Sequence, residues 1–382
     1  MATLAAPPHV EHTVAPSAES QPPPITGLSL ADLREVLIAQ GERPFRSEQV
    51  ARWVYRSAVT DFAAMRNVPK GLRAWLAETY TFNSADVITQ VDSADGDTTK
   101  AVLRLADGSL IETVLMQYNQ RSDGTGTNRR SVCVSTQVGC PLQCSFCATG
   151  LMGLTRNLTA AEIIDQVLHF LRWTRQQPPV VRNVVFMGMG EPLLNYETCL
   201  EAVGRLCDPT GAGLGAPRMT ISTSGWLPGI ERLADEPWPV RLAISLHAPT
   251  NDVRDELVPL NRRYPVEDLL AACRAYQAKT GRRITFEYTL MAGVNDSPQL
   301  ASALVKQVRG LDCHINLIPM NPVVGLSYAP SSTEAVQTFH QTLREAGLIA
   351  TIRREMGRDI QAACGQLQTE VLQRPVDQDH SP

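Results

Sequence analysis

The sequence predicts an α/β protein: an open, partial (β/α)6 barrel preceded by a small helical unit and a β-hairpin. Three observations predict it. From Ser131 onward, short β-rich runs alternate with helical patterns, the signature of parallel strands joined by crossover helices. Between Thr99 and Tyr118, two alternating runs flank Asp107-Gly108, a strong two-residue hairpin turn. Upstream, apolar residues recur at helical spacing in three short groups. The repeating part holds about six βα units, too few for an eight-fold barrel.

Taken in order, residues 1–24 hold six prolines and little apolar pattern, and read as a disordered leader. A helical accessory unit is expected over 25–90. Leu30, Leu33, Val36 and Leu37 form its first helix with Ser29 as cap, Val50, Trp53 and Val54 a second, and Leu72, Trp75 and Leu76 a third. Arg46, Arg52, Arg56, Arg66, Lys70 and Arg73 intersperse, which suits a solvated packing module or an RNA-touching appendage equally. Hairpin and linker follow over 91–130, ending in the polar, Gly-containing stretch RSDGTGTNRR.

The core is expected over 131–368. Strand SVCVSTQV leads to a cysteine loop, and a capping box at Thr159 and Glu162 opens a helix to about Arg175. Strands follow at Asn183–Met187, Met219–Ser222, Arg241–Leu246, Ile284–Leu290, His314–Ile318 and Ile349–Arg353. The intervening helices lie around Tyr196–Leu206, in a short segment after Ser222, from Pro265 to near Lys279, from Pro298 in a first turn, and over Thr333–Ala346 up to Gly347. Residues 369–382 read as a flexible tail. In such folds function collects at the carboxyl ends of the strands.

The chain has 382 residues, 43% of them hydrophobic, enough for two or three domains and a sizeable core. A net charge of −4 excludes a global basic field for nucleic acid. RNA binding then needs local patches, for which Arg129-Arg130, Arg262-Arg263, Arg282-Arg283 and Arg353-Arg354 are the candidates. The first Lys or Arg is Arg34, so the basic region of a secretory signal is not seen. With no run of membrane-span length and nine cysteines, the expected compartment is the reducing cytoplasm. Cys199, Cys207, Cys273 and Cys313 read as small core residues.

Cys140, Cys144 and Cys147 fall in VGCPLQCSFCATG, spaced C-x3-C-x2-C. Three soft thiols on one short loop suit a metal centre. Four would close an iron–sulfur or zinc site, whereas three leave one iron of a four-iron cluster open to a small molecule. Cys144 and Cys147 alone also suit a redox dithiol or half a zinc site; zinc needs a second ligand pair, and the nearest downstream histidine is His169 inside a helix. Further motifs sit at successive strand ends. They are Gly188-Met189-Gly190-Glu191-Pro192, Ser222-Thr223-Ser224-Gly225, Ser245-Leu246-His247-Ala248-Pro249, and Asn321. Taken singly each suits a turn or cap.

The C-x3-C-x2-C spacing resembles that of the radical S-adenosylmethionine superfamily. Its open iron implies S-adenosylmethionine as cofactor beside a [4Fe–4S] cluster, with the Gly-Glu-Pro motif contacting the cofactor's amino group. The resemblance implies contacts to its ribose, adenine and carboxylate from Ser222, Ser245, Leu246, His247 and Asn321. The longer order Glu112, Cys133, CPLQCSFC, GEPLLN, STSG, SLHAP, NLIPMNP, ACGQL over residues 26–370 resembles the dual-specificity RNA adenine C2-methyltransferases of the RlmN family.

That resemblance implies a sequence of roles. Cys364 accepts a methyl from one S-adenosylmethionine. A second, split by an electron from the cluster, gives the radical that activates this methyl for addition to an electron-poor adenine C2. Glu112 removes the C2 proton, and Cys133 attacks the Cys364 sulfur, forming a disulfide that is then reduced. The implied substrates are an adenosine in 23S rRNA at the peptidyl-transferase centre and one in the anticodon loop of some tRNAs. The base must be unstacked to reach the site. Implied too are a low-potential electron donor of the flavodoxin or ferredoxin type, no membrane, and a monomer. The competing expectations are the sister family that methylates C8, a glycyl-radical activase, which has no use for Cys364, and a zinc-containing RNA-binding module.

Overall fold

A computed structural model describes residues 22–57, 59–119, 128–175, 177, 179–323, 325–354 and 356–367. The expected leader (to residue 21), the linker stretch 120–127 and the expected tail 369–382 lie outside them.

The N-terminal unit is helical. Helix α1 (Leu30–Ala39) starts at Ser29, whose hydroxyl accepts from the Asp32 N–H while the Asp32 carboxylate accepts from the Ser29 N–H, a reciprocal cap. Helix α2 (Arg46–Ala51) runs on as a wide turn over Arg52–Arg56, and α3 is Lys70–Thr79. Leu33, Leu37, Val50, Val54, Leu72 and Leu76 are buried together.

Strands β1 (Ala85–Asp92), β2 (Thr98–Leu105) and β3 (Leu110–Tyr118) form an antiparallel meander. The helical span expected to residue 90 is therefore too long, because Ala85–Asp92 pairs with β2. This edge strand is half-buried or exposed at every position, so its apolar alternation is weak. Strand β4 (Arg129–Cys133) pairs antiparallel with β3, Cys133 lying opposite Val114.

The predicted strand SVCVSTQV is divided after β4. The chain leaves the main sheet, and β5 (Gln137–Gly139) pairs with β6 (Leu154–Asn157) in a separate two-stranded ribbon. The Gln166 side chain accepts from the Ser135 N–H at 2.8 Å and donates to the Ser135 carbonyl at 3.0 Å. It thereby occupies the groups that a neighbouring strand would need. A short α4 (Ala148–Leu151) intervenes.

Then come α5 (Ala160–Thr174), β7 (Val181–Phe186), α6 (Tyr196–Cys207), β8 (Met219–Thr223), α7 (Leu227–Leu233), β9 (Arg241–Ser245), α8 (Asn251–Leu257), α9 (Val266–Thr280), β10 (Ile284–Leu290), α10 (Pro298–Gln307), β11 (Cys313–Pro319), α11 (Thr333–Glu345) and β12 (Ile349–Ile352). Helix α8, like α4 and β6 before it, is not expected from the sequence; it is a short polar segment, NDVRDEL. The main sheet has ten strands in the order β1-β2-β3-β4-β7-β8-β9-β10-β11-β12. From β4 to β12 every pair is parallel, giving the expected six βα units, closed by β12. The helical unit is moored to two crossover helices: Thr26 donates to Asp165 of α5 at 3.0 Å, and Arg205 of α6 to the Gly27 carbonyl at 3.0 Å.

Candidate active site

Cys140, Cys144 and Cys147 lie between β5 and α4. Gly139 makes the turn possible. Its φ is +77°, and a Cβ there would sit 1.8 Å from the Gly153 carbonyl oxygen, the same oxygen that accepts from the Cys140 N–H at 2.7 Å. The far end of the chain clamps the loop, because the Ala148 N–H donates to the Gly365 carbonyl at 2.8 Å and the Thr149 hydroxyl to the Leu367 carbonyl at 2.7 Å.

All three thiols are free. Burial pushes Cys140 up to about 12 and raises Cys144 and Cys147 as well. Three crowded thiols in such a place become thiolates only against positive charge, which a bound metal provides. A fixed charge is already present: buried Arg254 donates to the carbonyls of Leu246, Ser224 and Ser245 and to Asn261 Oδ1, all neutral acceptors. Its charge acts on Cys144. Among the described residues no three His, Cys, Asp or Glu side chains are gathered as around a single ion. A four-iron cluster makes no such demand, since each thiolate takes a different iron. The donor set fits that cluster.

Gly139→Ala tests the turn. A Cβ held at such a φ costs about 1–3 kcal/mol, and here it also strikes the carbonyl that orients Cys140. The expected outcome is a folded protein by circular dichroism whose iron and sulfide content after anaerobic reconstitution falls to roughly half or less.

A cavity opens from the cysteine loop onto the strand ends. Its walls include Gly190, Glu191, Ser222, Ser245 and His247, five residues that sequence reasoning had proposed. Gly190, at φ +102°, has no room for a Cβ, which would lie 2.6 Å from the Gln137 side chain. Glu191 is buried and pushed up to about 7, while accepting from the backbone of Leu193 at 3.1 Å and Ser224 at 2.8 Å. The hydroxyls of Ser222 and Ser245 stand 3.4 Å apart.

His247 is held at φ +59° by Asn295, which donates to its carbonyl at 2.7 Å. Its Nδ1 accepts from the Thr289 N–H at 3.1 Å. Burial pushes its pKa down to about 3, so the ring is neutral with the proton on Nε2. Leu246 is not among the walls: its side chain is fully buried, and its N–H and carbonyl are taken by Glu287 and Arg254.

A second cavity adjoins the first and is lined by Cys133, Val114, Asn321, Arg353 and Cys364. Asn321 thus lies on the cysteine-pair side rather than with Ser222 and His247. Cys364, Arg353 and Cys147 line both cavities. Burial pushes Cys133 up to about 12, with a charge on Cys364 adding to the rise and Arg353 opposing it. Glu112 lines neither cavity, yet it is fully buried, 3.1 Å from Lys100 Nζ; it is not the solvated hairpin carboxylate that strand alternation suggests.

Sequence reasoning missed Arg353 and Glu287 as wall residues. Arg353 had been grouped with Arg354 as a surface patch; its side chain turns inward, while Arg354 pairs with Asp97 at 2.8 Å. Arg130 is also lost as a patch residue, being buried against Gln117 at 2.8 Å. Glu287, raised by burial, accepts from Asn316 at 2.7 Å. An inward-pointing carboxylate in the apolar run ITFEYTL was the available signal.

A three-thiol loop at the carboxyl ends of an open (β/α)6 barrel defines a radical S-adenosylmethionine enzyme, and residues 134–303 match the Radical SAM superfamily model. Residues 24–81 match the ribosomal RNA large subunit methyltransferase N-terminal domain. The chain is 44% identical over 354 residues to a "Probable dual-specificity RNA methyltransferase RlmN" of Geobacillus kaustophilus, covering 92% of this chain and 94% of that one. It is 46% identical to the "Ribosomal RNA large subunit methyltransferase N" of Nitrosopumilus maritimus, covering 89% and 97%. The crystal structure of a radical SAM methyltransferase from Sphaerobacter thermophilus superposes with a TM-score of 0.86 at 49% identity, covering 91% and 99%. The chain belongs to the RlmN family of RNA methyltransferases. Its cofactors are a [4Fe–4S] cluster and S-adenosylmethionine.

Proposed function

We propose that this enzyme methylates C2 of an adenosine in 23S rRNA and of an adenosine in the anticodon loop of some tRNAs, carrying the methyl on Cys364. The observation that carries the reading is the position of Cys364 on the walls of both cavities, one shared with the cluster cysteines and one with Cys133. Cys140, Cys144 and Cys147 hold the cluster. Gly190, Glu191, Ser222, Ser245 and His247 hold S-adenosylmethionine, with Asn321 reaching it from the neighbouring wall. Glu191, pushed up to about 7 by burial, is driven toward the carboxylate by an approaching ammonium group.

When bound, cluster and cofactor supply the one-electron cleavage that yields a hydrogen-abstracting carbon radical. The chain's residues do the rest. Cys364 Sγ takes a methyl as nucleophile. Glu112 accepts the C2 proton after carbon–carbon bond formation, and the adduct's odd electron would return to the cluster that Cys140, Cys144 and Cys147 hold, leaving a closed-shell thioether. Cys133 Sγ then attacks Cys364 Sγ. The carbon–sulfur bond breaks, its electron pair goes to the departing carbon, which takes a proton, and the two cysteines are left as a disulfide for a thiol reductant to open. Arg353, whose charge acts on both sulfurs, favours the attacking thiolate.

The proposed reading takes the enzyme as a monomer. No helix among the described residues is long and apolar enough to cross a membrane. Free thiols and a low-potential cluster suit the reducing cytoplasm and a flavodoxin- or ferredoxin-type donor. Mass spectrometry of rRNA and tRNA from a deletion strain tests the regiochemistry: 2-methyladenosine is expected to disappear. Loss of 8-methyladenosine instead assigns the chain to the sister reaction, and loss of neither overturns the reading.

A further inference from the structure

The β1–β3 meander does more than extend the sheet. Lys100 on β2, Val114 on β3 and Cys133 on β4 lie in one row, each directly opposite the next. Side chains opposite one another share a face, and this face looks toward the Cys133–Cys364 cavity, where Val114 and Cys133 form the wall. Glu112 precedes Val114 by two residues and so points to the same side.

On that face Lys100, only 8% exposed, makes two contacts among the described residues. Its Nζ lies 3.1 Å from Glu112 Oε1 and 3.3 Å from the Gln361 carbonyl oxygen. Gln361 sits at φ +53°, three residues before Cys364. The same loop is tied to the meander a second time, where the Ala94 N–H donates to Asp359 at 2.8 Å. One ammonium group therefore joins the carboxylate assigned the C2 proton to the loop that carries the methyl.

We infer that Lys100 is a positioning residue for methyl transfer: its ammonium group favours the carboxylate form of buried Glu112 and fixes it against the Cys364 loop. The physical ground is the desolvation of Glu112. Losing a cation 3.1 Å away shifts a fully buried carboxylate toward its protonated form, and a protonated Glu112 accepts nothing from C2. This inference rests on the assignment of Glu112 as base in the proposed function.

The test separates the two half-reactions in the holoenzyme. Methyl loading is read as the intact mass of the protein, and transfer from loaded Cys364 to RNA as single-turnover methylation. Lys100→Met is expected to load within about twofold of wild type and to transfer at least about tenfold more slowly, with Lys100→Arg recovering most of the loss. The double variant Lys100→Met/Glu112→Gln is expected to be no slower than Glu112→Gln alone, because both substitutions disable one group.

Parallel loss of loading and transfer in Lys100→Met, or additive losses in the double variant, would show a merely structural brace and overturn the inference. Impaired transfer by Glu112→Gln with normal transfer by Lys100→Met sinks the inference alone. Normal transfer by Glu112→Gln sinks the base assignment itself, and the inference with it.

Discussion

Cys364→Ala is expected to abolish RNA methylation while leaving iron, sulfide and visible absorbance unchanged. C2 of adenine lies between two ring nitrogens and is too electron-poor to attack a sulfonium methyl. The methyl must first be made reactive on a sulfur that can reach both the cofactor and the base. Cys364 is the cysteine outside the cluster loop that lines both cavities. Removing one sulfur leaves the loop's ties intact, since the Gly365 and Leu367 carbonyls and not the Cys364 side chain clamp the cluster segment. Anaerobic assays with nucleoside mass spectrometry, run beside metal analysis, make the comparison. Residual methylation at the same carbon by Cys364→Ala would require direct transfer from S-adenosylmethionine and would end the carrier mechanism.

How much of this was legible in the sequence follows from what each signal depends on. The three-thiol loop was legible because its residues are local: three thiols within eight residues need no tertiary fold to declare themselves. The six crossover units were legible because parallel strands covered on both faces read as apolar runs, and β10, ITFEYTL, is buried or half-buried at every position. Strand β1 was hidden because an edge strand lacks that cover. The break after β4 was hidden because it is enforced by Gln166, 31 residues away.

Side-chain direction was the largest gap. Lys100 and Glu112 lie on strands whose alternation assigns charged residues to solvent, yet the C-terminal loop covers that face. Arg353 reads as half of a surface pair, but its strand is the last of the barrel and its side chain turns to the two cysteines. Leu246 was carried into the site by motif position alone; the strand's alternation between Ser245 and His247 sends it into the core. Periodicity gives a face, and only packing says what covers it.

Cys133→Ala is expected to give the opposite signature to Cys364→Ala: chemistry proceeds, and product is not released. Once the methylene carbon joins C2, RNA and protein are one molecule through the Cys364 sulfur. Cleavage needs a second sulfur in line with the carbon–sulfur bond. Cys133 stands at the carboxyl end of β4, 8% exposed and close enough to Cys364 for their charges to interact. Alanine preserves the packing against Val114 but cannot attack. A soluble thiol reaches such a site poorly, so added reductant does not substitute. The expected result is a denaturant-resistant protein–RNA species, up to one per active site, shortened by ribonuclease and absent from the Cys133→Ala/Cys364→Ala double variant. Multiple turnovers with free methylated RNA from Cys133→Ala would mean that another group breaks the bond. Serine at the same position separates size from chemistry: it is near-isosteric with cysteine, and its oxygen is too poor a nucleophile toward sulfur, so Cys133→Ser accumulates the same adduct.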